Sequence, residues 1–307
     1  MKTPSAIALS DRGIIELSGP DKANFLQGLV SNDVRDVSEI SCVYQTFLTA
    51  QGKFQHDFFM IASGESFLLD VDVTRKDDLF RRLRMYKLRS DVALQDQSAQ
   101  WAIYAVIGDG AAQALGLSES AGAATPLESG GLAMVDPRHA AMGVRLLLPA
   151  DAAPQIIAAL GLEQGDVADY ERQRLALGIP KAGVDLIPEK STLLECNIDD
   201  LNGIAWDKGC YMGQELTART KFRGLTKKRL MTVTFDGAAP EPGTQITLDG
   251  KDAGDMRSAA GGVGLALVKL DKAAAAEAGQ GKLMAGDTAL SVSLPSYAQF
   301  ELPAAAG

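Results

Sequence analysis

The apolar residues of the chain fall into short runs, and changes in their period mark the elements. Residues 14–17 form an extended run. Residues 21–30 then take helical spacing, opened by Ser18-Gly19-Pro20 with Pro20 suited to a first turn. Three β-branched and aromatic runs follow at 43–49, 54–61 and 66–73, separated by Gln51-Gly52-Lys53 and Ser63-Gly64-Glu65, which suit hairpin turns. Leu79, Phe80, Leu83 and Tyr86 recur at helical spacing, which predicts a helix over 75–86 capped by Thr74, and 92–94 closes the unit as a strand. The order then repeats, with strand 101–107, helix 111–117, strands 132–136 and 143–148, and helix 153–160. Two successive β-α-β-β-α units predict an α+β fold of duplicated ferredoxin-like units, antiparallel sheets with helices on one face.

A helix over 169–177 ends at Gly178, and the Gly/Pro-rich stretch 179–209 predicts a long ordered loop, which in a compact domain usually carries function. Short strands at 231–235, 245–248, 262–268 and 290–292, broken by Gly, Pro and Asp turns, predict a small β-barrel or sandwich. The chain therefore divides into a first ferredoxin-like unit at 1–96, a second α/β unit carrying the motif loop at 97–229, and a C-terminal β-barrel at 230–303.

Composition narrows the function classes. A chain of 307 residues buries about three quarters of its unfolded surface and needs no staple. Cys42, Cys196 and Cys210 are widely spaced and form neither a CxxC knuckle nor a disulfide framework, which fits a reducing compartment. With 30 Lys and Arg against 39 Asp and Glu the net charge is −9, which argues against a protein that coats nucleic acid or anionic membrane. No apolar stretch is long enough to span a bilayer, and residues 1–10 lack signal or transit character, so a cytoplasmic location is expected. His56 and His139 are too few for a protein-only zinc site without most of the cysteines.

Polar groups crowd together in Lys208-Gly209-Cys210-Tyr211-Met212-Gly213-Gln214-Glu215, followed by Arg219, Lys221, Arg223 and Lys227-Lys228-Arg229. The glycines flanking Cys210 permit unusual backbone angles and close approach of a ligand. A helix beginning near Gly213 would put Cys210 close to its N-terminus with Lys208 nearby, and both influences favour the thiolate. The alternative is a small packing residue in a tight turn. The basic tract 216–230 holds six Lys or Arg and no acid; it reads as a solvated hinge or as a surface for a polyanionic tail or partner, with Phe222 available for stacking. A second basic cluster, from Arg75 through Arg89, reads as the outer face of an amphipathic helix. Alternation sends His56 and Asp57 to opposite faces of their strand, and a charged side chain there is expected on the solvent face.

The octapeptide Lys208 to Glu215 with the following Ala218-Arg219-Thr220-Lys221-Phe222-Arg223-Gly224 resembles the signature of the YgfZ family, folate-binding proteins related to the aminomethyltransferase T-protein of glycine cleavage. Gly19-Pro20-Asp21, Phe25-Leu26-Gln27-Gly28, Asn32-Asp33, Gln51-Gly52-Lys53, Tyr86 to Val92 and Gly178 to Glu189 match further segments in order, so the resemblance covers nearly the whole chain. It implies a three-lobed α+β body with a C-terminal barrel and a cavity for tetrahydrofolate or a substituted folate. The implied role is in assembly or repair of [4Fe–4S] enzymes, with iron–sulfur client or assembly proteins as partners. Carried onto this sequence, the chemical residues are Cys210, Lys208 and Asp57, and the folate-binding ones Tyr211, Gln214, Glu215, Arg219 and Arg223. Where the T-protein pairs two aspartates, this chain has His56-Asp57, and Ala176 stands where the T-protein has a glutamate near the pterin. The altered aspartate pair and the octapeptide favour an accessory factor without ordinary turnover over a folate-dependent aminomethyl- or methyltransferase, while the lost glutamate weakens the folate contacts or shifts them onto other residues. A protein-binding scaffold is the third possibility.

Overall fold

The structure is a computed structural model and describes residues 3–305. Its first strand, β1 (Ser5–Ala8), is not marked by the sequence pattern; β2 (Arg12–Ser18), β3 (Val43–Leu48), β4 (Phe54–Ser63), β5 (Ser66–Asp72) and β6 (Ala93–Asp96) follow close to expectation. These five make a sheet in the order β3-β4-β5-β2-β6. The second sheet holds β7 (Trp101–Ile107), β8 (Ala124–Pro126), β9 (Leu132–Val135), β10 (Val144–Pro149) and β11 (Glu163–Gln164) in the order β11-β1-β7-β10-β9-β8. The N-terminal strand thus crosses into the second sheet, antiparallel to β7 and parallel to β11.

Alternation explains the layering of this N-terminal unit. Phe58, Met60, Leu69 and Val71 share a core with Phe25 and Leu26 of α1 (Lys22–Gln27) and Leu79 and Leu83 of α2 (Lys76–Lys87). Val144, Leu146 and Leu148 share another with α3 (Ala111–Ala114) and α4 (Ala153–Ala159). The intervening residues, Asp57, Phe59, Asp70 and Arg145, point to the opposite faces, where the two sheets meet. Helix α1 is shorter than the run 21–30 because Val30 leaves the helix to bridge Phe47. Thr74 is not the cap; its hydroxyl donates to Asp72, and α2 has Arg75 at its N-cap without a side-chain cap bond.

The chain makes two compact units. The first takes the chain up to Leu48, Gln55–Tyr170 and Asn202–Met212; the second takes Thr49–Phe54, Glu171–Leu201 and everything from Gly213 onward. Helix α5 (Val167–Ala176) runs across this boundary, and α6 (Gln214–Phe222) belongs to the second unit. There a closed six-stranded barrel forms from β12 (Lys228–Thr234), β13 (Gln245–Leu248), β14 (Lys251–Ala260), β15 (Val263–Lys269), β16 (Leu283–Ala285) and β17 (Thr288–Ser293), with α7 (Leu270–Glu277) between β15 and β16. Strand β14 escapes a reading by hydrophobicity because only Ala253 and Met256 of it enter the barrel core, while Lys251, Asp252, Asp255 and Arg257 break the pattern. Its Gly254 lies at φ 148°, and a Cβ there would sit 2.0 Å from the carbonyl oxygen of Leu267, so the strand can cross β15 this closely only at glycine.

Candidate functional site

The motif loop is held by a segment that sequence reasoning passed over. In residues 202–212, Ser31 Oγ donates to the carbonyl of Gly203 at 2.5 Å while accepting from Thr46 N and Thr46 Oγ1, and Ala205 N donates back to Ser31 O. Asn32 Nδ2 donates to the carbonyls of Asn202 and Tyr44, at 2.7 and 3.1 Å, and its backbone N–H is taken by Gln45 Oε1. Lys208 Nζ donates to Val30 O at 2.8 Å and Asn32 O at 2.6 Å, and lies 5.3 Å from the centre of the Tyr211 ring. Burial lowers its pKa to about 8, with Asp33 opposing the shift. Met212 N donates to Gly28 O, and its side chain joins the first core. Lys208 therefore serves as a tie between loop and body, with its hydrogen bonds directed at two carbonyls. The only signal in the sequence was Asn32-Asp33, one of the quoted matching segments.

Between the two tie points the thiol of Cys210 is exposed, whereas Cys42 and Cys196 are buried. Burial pushes the Cys42 thiol strongly up, with Asp136 adding to the shift, and raises Cys196 to about 12. Gly209 has open space where a side chain would stand, and Gly213 is left-handed at φ 82° and starts α6. Limited alkylation with iodoacetamide is accordingly expected to label Cys210 first, with Cys42 and Cys196 reacting only on unfolding; peptide mass mapping gives the order.

The second constellation lies between the sheets of the same unit. Asp70 is 1% exposed and accepts from Arg12 Nε at 2.6 Å and Arg145 NH1 at 2.8 Å, while Arg145 NH2 reaches Tyr170 at 3.3 Å. Asp136 holds Arg138 in a bidentate pair. Burial pushes the Asp136 carboxyl up, but the charge and hydrogen bonds of Arg138 outweigh it and the net shift is downward. Three guanidinium groups approach the Phe59 ring, Arg145 at 4.3 Å, Arg138 at 4.9 Å and Arg12 at 5.6 Å from its centre. Beside this array Asp57 accepts from the Tyr44 hydroxyl at 2.8 Å through Oδ2, and its buried Oδ1 has no hydrogen-bond partner among the described residues. Burial raises the pKa of Asp57, against the opposing pull of Arg12, Tyr44 and Arg138.

The solvent-face expectation for the His56-Asp57 pair is overturned, since both are buried. A sheet covered by helices on one side and a second sheet on the other has no solvent face. His56 points to the helix side, where Nε2 lies 3.0 Å from Asp78 of α2. Burial lowers its pKa to about 4, so it is neutral at physiological pH. The basic cluster from Arg75 to Arg89 does follow the amphipathic reading, with Leu79 and Leu83 buried beneath it.

Of the residues singled out in the sequence, Asp57, Lys208, Cys210 and Tyr211 belong to the first unit, and Gln214, Glu215, Arg219 and Arg223 to the second. Glu215 and Arg219 pair with each other along α6. The basic tract is not uniform: Arg229 is buried on Asp199 at 2.8 Å and stacks on Phe300, and Lys221 shares Asp199 at 3.1 Å.

Residues 5–125 match the GCVT N-terminal domain, and residues 227–300 match the C-terminal β-barrel domain of CAF17. The mitochondrial iron–sulfur cluster assembly factor IBA57 of Mus musculus is 34% identical over 283 residues, spanning 85% of this chain and 76% of that protein. The Homo sapiens counterpart is 34% identical over 284 residues, covering 86% and 77%, and a homologue from Pyricularia oryzae is 31% identical, covering 88% and 72%. The chain belongs to the CAF17/IBA57 family. Its fold is that of the glycine cleavage T-protein: the crystal structure of the aminomethyltransferase T from Bartonella henselae aligns over 97% of this chain and 87% of its own, with a TM-score of 0.77 at 17% identity. The GcvT-like body and terminal barrel expected from the sequence are thus both present. The expected cytoplasmic location is not upheld, because these CAF17/IBA57 relatives are named mitochondrial proteins. The widely spaced cysteines misled here, since they suit any reducing compartment.

Proposed function

We propose that this CAF17/IBA57 protein is a tetrahydrofolate-binding accessory factor in the assembly or repair of [4Fe–4S] enzymes, akin in mode to the bacterial YgfZ proteins, and acts without ordinary turnover. The observation that carries the folate part is the orphan Oδ1 of Asp57. A buried carboxylate with one oxygen already satisfied and the other open is costly unless a donor fills it. The 2-amino-4-oxo edge of a pterin offers adjacent N–H donors, so the residues present fit the group. Tetrahydrofolate, when bound, supplies a one-carbon carrier. The protein's own part is to orient the ring edge through Asp57, which Tyr44 fixes in rotation.

The accessory role rests on Cys210. A family of iron–sulfur assembly factors with one exposed thiol on a tethered loop has a group that can ligate a cluster iron or exchange with an oxidised partner. One cysteine is far short of the roughly four ligands a cluster takes, so any cluster held at this thiol is shared with a client or assembly protein. His56 in place of an aspartate leaves the aminomethyl-transfer pair incomplete, and Ala176 in place of the T-protein glutamate shifts the folate contacts onto other residues. Calorimetric titration with tetrahydrofolate and its 5-formyl form tests the folate part: saturable one-to-one binding is expected, and no heat with either ligand rejects it.

A further inference from the structure

Helix α2 has a second face that the folate and thiol chemistry leaves unused. Leu79 and Leu83 turn inward, and positions 81, 84, 85 and 88 share the outward face. Met85 and Leu88 there are 66% and 87% exposed, apolar side chains on a face that solvation would fill with polar ones. Leu88, at the C-cap, is held at φ 44°, a left-handed region where glycine is the ordinary occupant. Around this pair basic residues predominate, with Asp77 and Asp78 about two turns before Met85 and Asp91 three residues after Leu88. Between Leu79 and Ser90 there are five basic residues, Arg81, Arg82, Arg84, Lys87 and Arg89, and no acid, within a chain of net charge −9. Asp78 takes Arg81 and Arg82, while Arg84, Lys87 and Arg89 have no ion pair among the described residues.

We propose that this face, Met85 and Leu88 flanked by Arg84 and Arg89, is a docking surface for an acidic amphipathic segment of a partner protein. Charge complementarity sets the sign of the partner, and the two apolar side chains require it to bring apolar ones of its own. A nucleic acid would use the cations and gain nothing from Met85 or Leu88. A bilayer would have to be held by two side chains against the net negative charge of the whole molecule. A leucine kept where glycine is easier, with its side chain in water, is accounted for by a contact made in the complex. The surface is independent of whether folate binds.

The test uses the full chain and fluorescence anisotropy with a short fluorescein-labelled peptide rich in glutamate and carrying two leucines at helical spacing. Saturable binding is expected. Arg84→Glu with Arg89→Glu should weaken it at least about tenfold, and replacing the peptide's leucines by serine should weaken it similarly. Leu88→Gly should weaken binding several-fold without lowering the melting midpoint, because glycine accepts the positive φ; a purely architectural Leu88 would leave binding unchanged. The proposal is overturned if the peptide does not bind, if a lysine-rich peptide with the same leucines binds equally, if the charge reversals have no effect, or if vesicles containing phosphatidylserine bind while the peptide does not.

Discussion

Asp70→Asn is expected to destabilise the N-terminal unit by about 3–5 kcal/mol, a large part of the stability of any domain. The carboxylate is the common partner of Arg12 and Arg145, and it is buried with the Arg145 side chain at 4% exposure. An asparagine retains the shape but not the charge, and two guanidinium groups between the sheets lose the carboxylate that both are paired with. Stacking on Phe59 does not replace that ion. By contrast Asp271→Asn breaks an exposed pair with Lys272 and should change stability by about 0–1 kcal/mol. Both tryptophans, Trp101 and Trp206, lie in the first unit, so their fluorescence in a denaturant titration follows the unit that is affected. Equal midpoints for the two variants would contradict the assignment of Asp70 as the counter-ion of the array.

Asp57→Asn should act in two opposite directions. The folded pKa of Asp57 is raised, so the folded state prefers the protonated carboxyl and wild-type stability is lost as pH rises from the unfolded value of about 3.9 through the folded one. The amide does not ionise, and Tyr44 can still donate to its oxygen. The variant should therefore gain on the wild type as pH rises through this window. Its affinity for tetrahydrofolate should fall, by about 10- to 100-fold if one charge-assisted hydrogen bond worth about 1.5–3 kcal/mol is lost. Denaturation at acid and neutral pH, together with the calorimetric titration, reads both. A variant that is less stable at neutral pH and binds folate unchanged would refute the ligand-facing role of Oδ1.

Much of this architecture is legible in the residue pattern. The aromatic strand through Phe54, Phe58 and Phe59 and the helix through Leu79 and Leu83 announce themselves by period. So does β10 around Val144 and Leu146. What stays hidden has physical causes. A four-residue strand such as β1 is too short for alternation to register, and its place in the other sheet is decided by pairing over a long sequence separation. Strand β14 is interrupted by Lys251, Asp252, Asp255 and Arg257 and sends few apolar side chains inward, so little hydrophobic signal remains. The site splits in the same way. Cys210 is conspicuous because of its neighbours, and the exposure of its thiol agrees with a chemical role. The Arg12-Asp70-Arg145 array is scattered over more than a hundred residues and is visible only once two sheets face each other; a lone charge in the apolar run around Arg145 was its one trace. Lys208 suggests itself as a neighbour for the thiol because it is two residues away, and the structure adds the bonds of its amine to the carbonyls of Val30 and Asn32.

The central claim, that this protein serves iron–sulfur enzymes through an exposed thiol on a tethered loop, is tested most directly in cells lacking their own family member. The measurement is the activity of a [4Fe–4S] enzyme in those cells, complemented with the wild-type chain or with Cys210→Ser at matched protein level. The serine keeps the loop and its ties to Ser31, Asn32 and Val30 but removes the sulfur. Wild-type protein is expected to restore the enzyme and Cys210→Ser to leave it near the uncomplemented level. Full restoration by Cys210→Ser would contradict the account.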